Sequence, residues 1–371
     1  MALGARAITV EDQAIEGDFV GLDATPAIEL RVAGASRKLP CSDLLALELR
    51  AGKAAPSREG VAVVLRNGDS LRGTIEGGSG RALTLKSALF GSAECPLQAI
   101  TRIELPVAQP SQPLAADEKA DRLLLRNGET VEGTLESLDA AGVKFRSTLL
   151  GQLEVGFDRL AAIALAASGA AAEKKPEGVV AIVHGDDATV VSGQLKGLRD
   201  GKLELQAGFG AALALDLRRA LRVEFRGGRL VYLSDLQPAE AKETPFFDLV
   251  WHYRRDRSVD GNPLRIGEQV YGKGLGVHSR CELTYALDGA CRRFLADVGI
   301  DEEVGEKGNV DIVVLVDGKP RFERKGVAGP DEPIPVAVDV AGAARLTLVV
   351  DFGADFDICD HLDWGNARLI R

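Results

Sequence analysis

The chain has 371 residues, of which 46% are apolar and 27% are charged, and this is the composition of a folded protein long enough for several domains. Its formal net charge of −10 excludes the basic surface on which nucleic-acid binding depends, and no apolar run approaches the roughly 20 residues that membrane insertion of a helix requires. The 42 glycines and the aromatic content of 5% are typical of turn-rich β-structure. We therefore expect an all-β protein.

The N-terminal part of the chain contains an internal repeat. Residues 64–75 and 124–135 have nearly the same sequence sixty positions apart, and residues 182–195 keep the same period. A more divergent copy extends over residues 8–49. The period predicts four copies of one structural unit.

Each copy has the pattern of several short strands. A turn of the Asn-Gly or Gly-Asp type follows the first strand and supplies the positive φ that a tight hairpin needs. Gly73, Gly133 and Gly193 interrupt the second strand, where they suit a sharp bend or bulge. Pattern and length resemble the small SH3-like or Sm-like barrels, and we expect these barrels to act as spacers or as modules that contact other proteins.

The predicted boundaries give five domains. Small β repeats are expected at residues 5–50, 60–106, 120–166 and 178–227, and a larger domain at residues 228–371. In the larger domain, runs of six to eight strand-forming residues alternate with turn signals, and this pattern predicts a β-sandwich. The predicted strands include Glu282–Leu287, Arg293–Ile300, Val310–Val316, Ile334–Val340 and Arg345–Val350.

Several motifs of the last domain occur in the order of a known family. The most distinctive are the glycine-rich segment Tyr271–Arg280 and the terminal run Cys359–Ala367. Trp251–Gly261 precedes the glycine-rich segment, and Gly299–Val304 lies between it and the terminal run. In this order the motifs resemble the NPCBM family of carbohydrate-binding modules over roughly residues 230–371. The resemblance implies a galactose-binding-like β-sandwich (jelly roll) that binds galactoside-type glycans, as an accessory to exported glycosidases.

The resemblance also implies a compartment. No secretory leader is visible in the first ten residues, so the expected periplasmic or extracellular location rests mainly on the family. The expected partners are a glycan and, through the repeats, other proteins.

Sugar hydroxyls are bound by carboxylates, imidazoles and guanidinium groups, while an aromatic face packs on the apolar side of the ring. Such groups occur in the glycine-rich segment, the acidic loop and the terminal run of the last domain. The predicted carbohydrate-binding residues are His278, Arg280, Asp301, Glu302, Asp360, His361, Asp363 and Trp364.

Three of these predictions have a structural alternative. Trp364 has apolar neighbours and could pack in the core, and His278 could be a buried imidazole that anchors loops. The acidic loop with Asp301 and Glu302 could be solvated charge, or it could hold a structural calcium ion, the one cofactor that its oxygen ligands would suit.

The sequence gives little support to catalysis. A zinc site from His252, His278, His361 and Asp360 is conceivable, but the residues lack the HExxH spacing. Asp360 and Asp363 lie only three positions apart on a strand-like segment and are not expected to flank a glycosidic bond. We therefore expect a non-catalytic glycan-binding protein. The alternatives are a scaffold protein whose sandwich mediates protein contacts and, with weaker support, a glycosidase or a metal-dependent hydrolase.

Overall fold

The computed structural model describes residues 3–22, 26–49, 60–106, 119–166, 179–246, 248–329, 331–354 and 356–371. The chain forms two compact units, residues 1–228 and 229–371. Both are all-β, as predicted, and the helical segments of the described residues are single 3-10 turns. No helix in these ranges is long and apolar enough to cross a membrane.

The first unit consists of four repeats of five strands, which we call repeats 1 to 4. In each repeat a one-turn 3-10 helix precedes the fifth strand. Repeat 1 comprises β1 (Leu3–Thr9), β2 (Ala14–Leu22), β3 (Ala27–Val32), β4 (Ala35–Pro40) and β5 (Leu44–Glu48). Repeat 2 comprises β6 (Val61–Leu65), β7 (Ser70–Gly78), β8 (Ala82–Ser87), β9 (Gly91–Pro96) and β10 (Ile100–Glu104).

The other two repeats have the same element order. Repeat 3 comprises β11 (Asp121–Leu125), β12 (Thr130–Leu138), β13 (Gly142–Ser147), β14 (Gly151–Gly156) and β15 (Leu160–Ala164). Repeat 4 comprises β16 (Val180–Gly185), β17 (Val190–Arg199), β18 (Lys202–Ala207), β19 (Ala212–Asp216) and β20 (Ala220–Arg226). The 3-10 turns are Cys41–Asp43, Leu97–Ala99, Phe157–Arg159 and Leu217–Arg219.

The same local chemistry shapes each repeat. The first four strands form an antiparallel meander, and the fifth strand pairs with the first. In the first hairpin of repeat 2, Gly68 has a φ of 89° and the Asn67 side chain accepts a hydrogen bond from the Asp69 amide at 3.0 Å. A Cβ at Gly73 would meet the carbonyl oxygen of Lys86, so glycine lets the second strand bend onto the third. Each repeat is thus a curled sheet, and its closure into a barrel stays a prediction.

Fifth strands join the repeats in pairs. Strand β5 of repeat 1 pairs with β20 of repeat 4, and β10 of repeat 2 pairs with β15 of repeat 3. Apolar side chains from all four repeats form one continuous core. This packing stabilises units that would be marginal alone, because one repeat is too small to bury a sufficient core.

The second unit is a β-sandwich, and its described residues form thirteen strands. They are β21 (Leu230–Tyr232), β22 (Glu240–Glu243), β23 (Arg254–Arg255), β24 (Leu264–Ile266), β25 (Gln269–Tyr271), β26 (Gly274–His278), β27 (Cys281–Ala286), β28 (Arg293–Ile300), β29 (Asn309–Val316), β30 (Lys319–Ala328), β31 (Ile334–Asp339), β32 (Arg345–Phe352) and β33 (His361–Ile370). Its 3-10 turns are Leu233–Asp235 and Glu302–Val304.

Two antiparallel sheets enclose the core of this unit. One sheet has the order β23-β26-β33-β28-β31, with β21 also paired to β33, and the other has the order β22-β27-β32-β29-β30. Alternate residues of both sheets, among them Phe294, Tyr285 and Trp364, fill the space between them.

The small hairpin β24–β25 covers part of the outer face of the first sheet. Its apolar residues Leu264, Ile266 and Tyr271 are buried there. Glycines of the sheet provide the space, because a Cβ at Gly299 would meet Ile266 at 2.5 Å and a Cβ at Gly365 would meet the Tyr271 ring at 2.6 Å.

Candidate functional site

The candidate site lies on the outer face of the first sheet, where β26 ends and β33 begins. His278 and His361 are directly opposite each other in the antiparallel register of these strands. Because side chains alternate along a strand, His361 and Asp363 point outward while Leu362 and Trp364 point into the core. The register of two strands thus brings together residues that are 83 positions apart in the sequence.

Three rings form the floor of the site. Trp251, from the loop before β23, stacks on His278 with the ring centroids 5.4 Å apart and the planes inclined by 13°. It also contacts His361 at 5.2 Å, and the two imidazoles lie 5.4 Å apart. The imidazoles are nearly buried, with His278 6% and His361 8% exposed, whereas Trp251 is partly exposed. The indole therefore still has surface to offer a ligand.

His278 has a defined protonation state. Its Nδ1 lies 2.8 Å from the carbonyl oxygen of Ser279 and must donate to it, so Nε2 is the acceptor nitrogen of the neutral ring. Burial lowers the pKa of His278, and the neighbouring His361 acts in the same direction. The ring is therefore neutral at pH 7.

Glu303 forms one wall of the site. Its Oε2 accepts hydrogen bonds from Ser258 at 2.8 Å and Asn262 at 2.9 Å, and its Oε1 lies 2.9 Å from Nδ1 of His361. Burial acts to raise the pKa of Glu303, but the hydrogen bonds from Asn262, His361 and Ser258 outweigh it, and the pKa is lower than usual. Glu303 is thus a fixed carboxylate.

Asp260 completes the site at its exposed edge. Its Oδ2 lies 3.8 Å from Nδ1 of His361, and 43% of the side chain is exposed. The ligand atoms of Asp260, Glu303 and His361 lie within 4.8 Å of one another, so these residues form a group that could hold a cation. The residues predicted for calcium do not belong to this group, since Asp301 is buried and Glu302 is exposed on its 3-10 turn. A calcium site at Asp301 and Glu302 stays a prediction.

Next to this partly exposed site lies a sealed pair of carboxyl groups. The backbone amide of Arg265 in β24 donates to Asp363 at 2.9 Å and to Asp301 at 3.1 Å. Asp301 also caps the 3-10 turn by accepting from the Glu303 amide at 2.8 Å. Burial raises the pKa of Asp363 to about 10, and the hydrogen bond and charge of Asp301 contribute to the shift. The pair thus retains a proton at pH 7 and fixes the hairpin and the turn that carries Glu303.

Four of the predicted binding residues therefore belong to the fold and not to an open surface. Asp301 and Asp363 lie under the hairpin. Asp360 is fully buried and accepts hydrogen bonds from the Ser279 hydroxyl and, at 3.0 Å, from the Asn309 amide. Trp364 is also fully buried, so its ring cannot stack on a sugar, and the alternative reading of this residue as core packing is correct.

Of the four remaining predicted residues, His278 and His361 are in contact, and their role in sugar binding stays a prediction. Glu302 is exposed on its 3-10 turn. Arg280 instead pairs with Glu282 at 3.1 Å, and it lies 3.8 Å from Asp351. The prediction omitted three residues of the pocket, namely Trp251, Glu303 and Asp260. The Trp251–Gly261 and Gly299–Val304 motifs contained all of them, but nothing in either motif distinguishes a pocket residue from a packed one.

Two loops beside the pocket carry exposed apolar side chains. Phe246, Leu249 and Val250 precede Trp251 in one loop, and Phe356 and Ile358 precede His361 in the other. The loops contact each other, since the Phe246 and Phe356 ring centroids are 5.0 Å apart. Asp357 of the second loop is close enough to His278 to act on its pKa. The apolar loops therefore border the pocket.

The second unit matches a known family. Residues 229–370 match the NPCBM/NEW2 domain, which confirms the resemblance of the sequence motifs. A protein of Renibacterium salmoninarum, named for endo-alpha-N-acetylgalactosaminidase activity, is 31% identical over 111 residues, or 30% of this chain. The match spans only 7% of that protein's length.

Solved structures are also similar to part of the chain. One is CBM51 from Clostridium perfringens GH95 in complex with methyl-galactose, with 31% identity, 38% of this chain and 99% of that chain covered, and a TM-score of 0.35. Another holds the CBM51-2 and INT domains of Clostridium perfringens ZmpB, also with 31% identity and a TM-score of 0.35, covering 38% of this chain and 31% of that one.

Proposed function

We propose that residues 229–371 bind a galactose-type sugar in the pocket formed by Trp251, His278, His361, Glu303 and Asp260. The match of residues 229–370 to the NPCBM family supports carbohydrate binding by this unit. The convergence of one partly exposed indole with two imidazoles and a fixed carboxylate is the single observation that carries the proposed position of the site.

Each group has a role that suits a pyranose ring. The exposed part of the Trp251 face would pack on the apolar face of the sugar, as aromatic side chains do in ligand sites. Each carboxylate oxygen can accept about two hydrogen bonds, so Oε1 of Glu303 and both oxygens of Asp260 can accept from sugar hydroxyls. Nε2 of His278 is a further acceptor. Because Glu303 and His361 hold each other in place, little ordering would be needed on binding.

The apolar loops suggest a ligand larger than one sugar ring. A sugar ring rich in hydroxyls would make few favourable contacts with the exposed apolar side chains of Phe246, Phe356 and Ile358. We infer that the group to which the sugar is attached contacts these loops, which would bury surface otherwise left in water. Aryl galactosides should therefore bind more tightly than methyl galactoside.

We further propose that the protein is non-catalytic and acts in the periplasm or outside the cell. In this proposal the sandwich attaches the chain to a glycan, and the four repeats serve as spacers or contact other proteins. The burial of Asp301 and Asp363 under the hairpin supports a structural role for these two carboxyl groups. An aryl galactoside that is bound but not cleaved would agree with this role.

The test is a galactoside titration of the full chain followed by tryptophan emission. Both tryptophans lie in the second unit, and only Trp251 is exposed, so binding should change the emission of the wild type and not that of Trp251→Phe. His361→Ala should weaken binding at least tenfold by calorimetry. His252→Ala is the matched control, because His252 contacts Glu243 and is 81% exposed outside the pocket. Equal affinities of His361→Ala and the wild type, or no binding across a diverse glycan array, would overturn the proposal.

A further inference from the structure

Repeats 2 and 4 contact each other through equivalent residues. Strands β7 and β17 pair at Ser70 and Val190, and both residues lie three positions before the glycine of the second strand. When equivalent residues pair in an antiparallel arrangement, the two repeats are related by a local two-fold axis. This contact is therefore built like the interface of a symmetric dimer.

The hydrogen bonds around this axis are reciprocal. The Ser192 amide of repeat 4 donates to Asp69 of repeat 2 at 2.9 Å. In return the Arg72 amide of repeat 2 donates to the hydroxyl of Thr189 in repeat 4 at 3.1 Å. Asp69 and Thr189 occupy the same position in their repeats and are both buried, at 3% and 0% exposure. The same pair of positions thus forms both halves of the contact.

The tips of the third-to-fourth-strand hairpins extend the contact. In repeat 2 the tip residue Leu89 accepts a hydrogen bond from the Asp216 amide of repeat 4 at 2.8 Å, and its side chain lies against Gly185. Leu89 and Phe90 are buried. In the opposite direction, the tip of repeat 4 brings Gly208 close to the Asn67 side chain of repeat 2.

Repeat 3 carries the same surface without a counterpart among the residues that the structure describes. Its tip residues Leu149 and Leu150 correspond to Leu89 and Phe90, yet they are 92% and 66% exposed. The positions of Asp69 and Ser70 are occupied by Glu129 and Thr130, and both are exposed. Two adjacent leucines at such exposure are unusual on a soluble domain and indicate an interaction surface. Repeat 1 differs, because its tip consists of Ala33 and Gly34.

We propose that repeat 3 is the interface of a dimer of two copies of this chain, with β12 of one copy pairing at Thr130 with β12 of the other. A surface that pairs equivalent residues can be completed by an identical surface, and a second copy of repeat 3 is the partner that supplies one. The Leu149–Leu150 tip of each copy then packs on the first hairpin of the other, as the tip of repeat 2 packs on repeat 4.

The side chains of repeat 3 are compatible with this arrangement. Position 125 has leucine where repeat 4 has Gly185, but repeat 2 has leucine there too, at Leu65, and still receives the tip of repeat 4. Glu132 would lie near the axis, and its charge is balanced by Arg122 at 2.9 Å. Burial of the Leu149 and Leu150 side chains in the dimer would provide most of the driving force for association.

The test measures the oligomeric state of the full chain by sedimentation velocity over roughly 1–100 μM, a range that spans typical affinities of modest interfaces. The wild type should form dimers, and Leu149→Ser combined with Leu150→Ser should weaken dimerisation at least tenfold. Val20→Ser, at another exposed apolar position of the first unit, is the matched control and should dimerise as the wild type does.

A second variant tests the register independently of affinity. Thr130→Cys should form a disulfide-linked dimer under mild oxidation, because the proposal places residue 130 opposite its copy. Thr134→Cys, four positions along β12, should not. A monomer at every concentration, larger polymers, a dimer insensitive to the double leucine change, or equal cross-linking at both positions would each overturn the proposal.

Discussion

Two neighbouring regions on the outer face of the sandwich use acidic side chains in opposite ways. Under the hairpin β24–β25, Asp363 is sealed from water and retains a proton. Two residues earlier on the same face of β33, His361 lies beyond the hairpin, in contact with Glu303 and near Asp260. Both regions contain acidic side chains, but the hairpin covers only the first region. Cover by a neighbouring element therefore decides whether a polar group on a sheet serves the fold or remains available to a ligand.

The largest predicted effect comes from the sealed region and concerns the pH dependence of the free energy of unfolding. Because the pKa of Asp363 is about 10 in the folded state and near 4 when unfolded, the folded protein binds one more proton between these values. This stabilising contribution is complete below pH 4 and is lost as the pH rises toward 10. In Asp363→Asn the amide keeps the acceptor for Arg265 without titrating. The stability of this variant relative to the wild type should rise by up to about 1.4 kcal/mol per pH unit between pH 5 and 9.

Urea unfolding of the full chain, followed by tryptophan emission, measures this effect, because both tryptophans belong to the second unit. Asp339→Asn is the matched control at an exposed position on β31, and its free energy of unfolding should change with pH as that of the wild type does. If the free energy of unfolding of Asp363→Asn also changed with pH as that of the wild type does, then Asp363 would be ionised in the folded protein and the region would not be sealed.

The second prediction concerns the seal itself. A Cβ at Gly365 would lie 2.6–2.8 Å from atoms of the Tyr271 ring, so Gly365→Ala should force the hairpin away from the sheet. Overpacking of this kind costs about 1–3 kcal/mol, and the same tryptophan-detected unfolding should report it. Gly272→Ala in the same segment is the control, because a Cβ at Gly272 would have no atom within 4 Å and the change should be nearly neutral. Equal stabilities of the two variants would mean that the hairpin does not pack tightly.

The regular features of the fold follow from the sequence, for physical reasons. The matching segments at residues 64–75 and 124–135 reveal the repeats, because a turn that needs positive φ and a bend that needs glycine leave fixed residues behind. Runs of strand-forming residues between turn signals likewise identify β29 and β32. Local chemistry and period suffice for such features.

The site is less accessible to this reasoning. Asp360, Asp363 and Trp364 have the residue types of a sugar site, but their burial depends on the hairpin β24–β25 and on the opposite sheet, which are distant in sequence. Trp251 joins the pocket through a loop whose path depends on contacts with His278 and His361. Residue type alone does not tell a covered carboxyl group from an open one. The motifs therefore contain the residues of the proposed site, but they do not show that Asp360, Asp363 and Trp364 are buried.

The smallest predicted effect concerns Asp260 at the exposed edge of the pocket. It tests whether an exposed carboxylate contributes less to binding than the covered groups do. Asp260 is 43% exposed and lies 3.8 Å from Nδ1 of His361, so water and ions screen its charge. Asp260→Asn should weaken galactoside binding only about two- to threefold, because the amide oxygen still accepts a hydrogen bond and water competes for this exposed contact. Fluorescence titration of the variant and the wild type measures the effect. If Asp260→Asn instead weakened binding at least tenfold, as His361→Ala should, then Asp260 would be as central to the ligand as the covered groups, and exposure would not rank the carboxylates of this face.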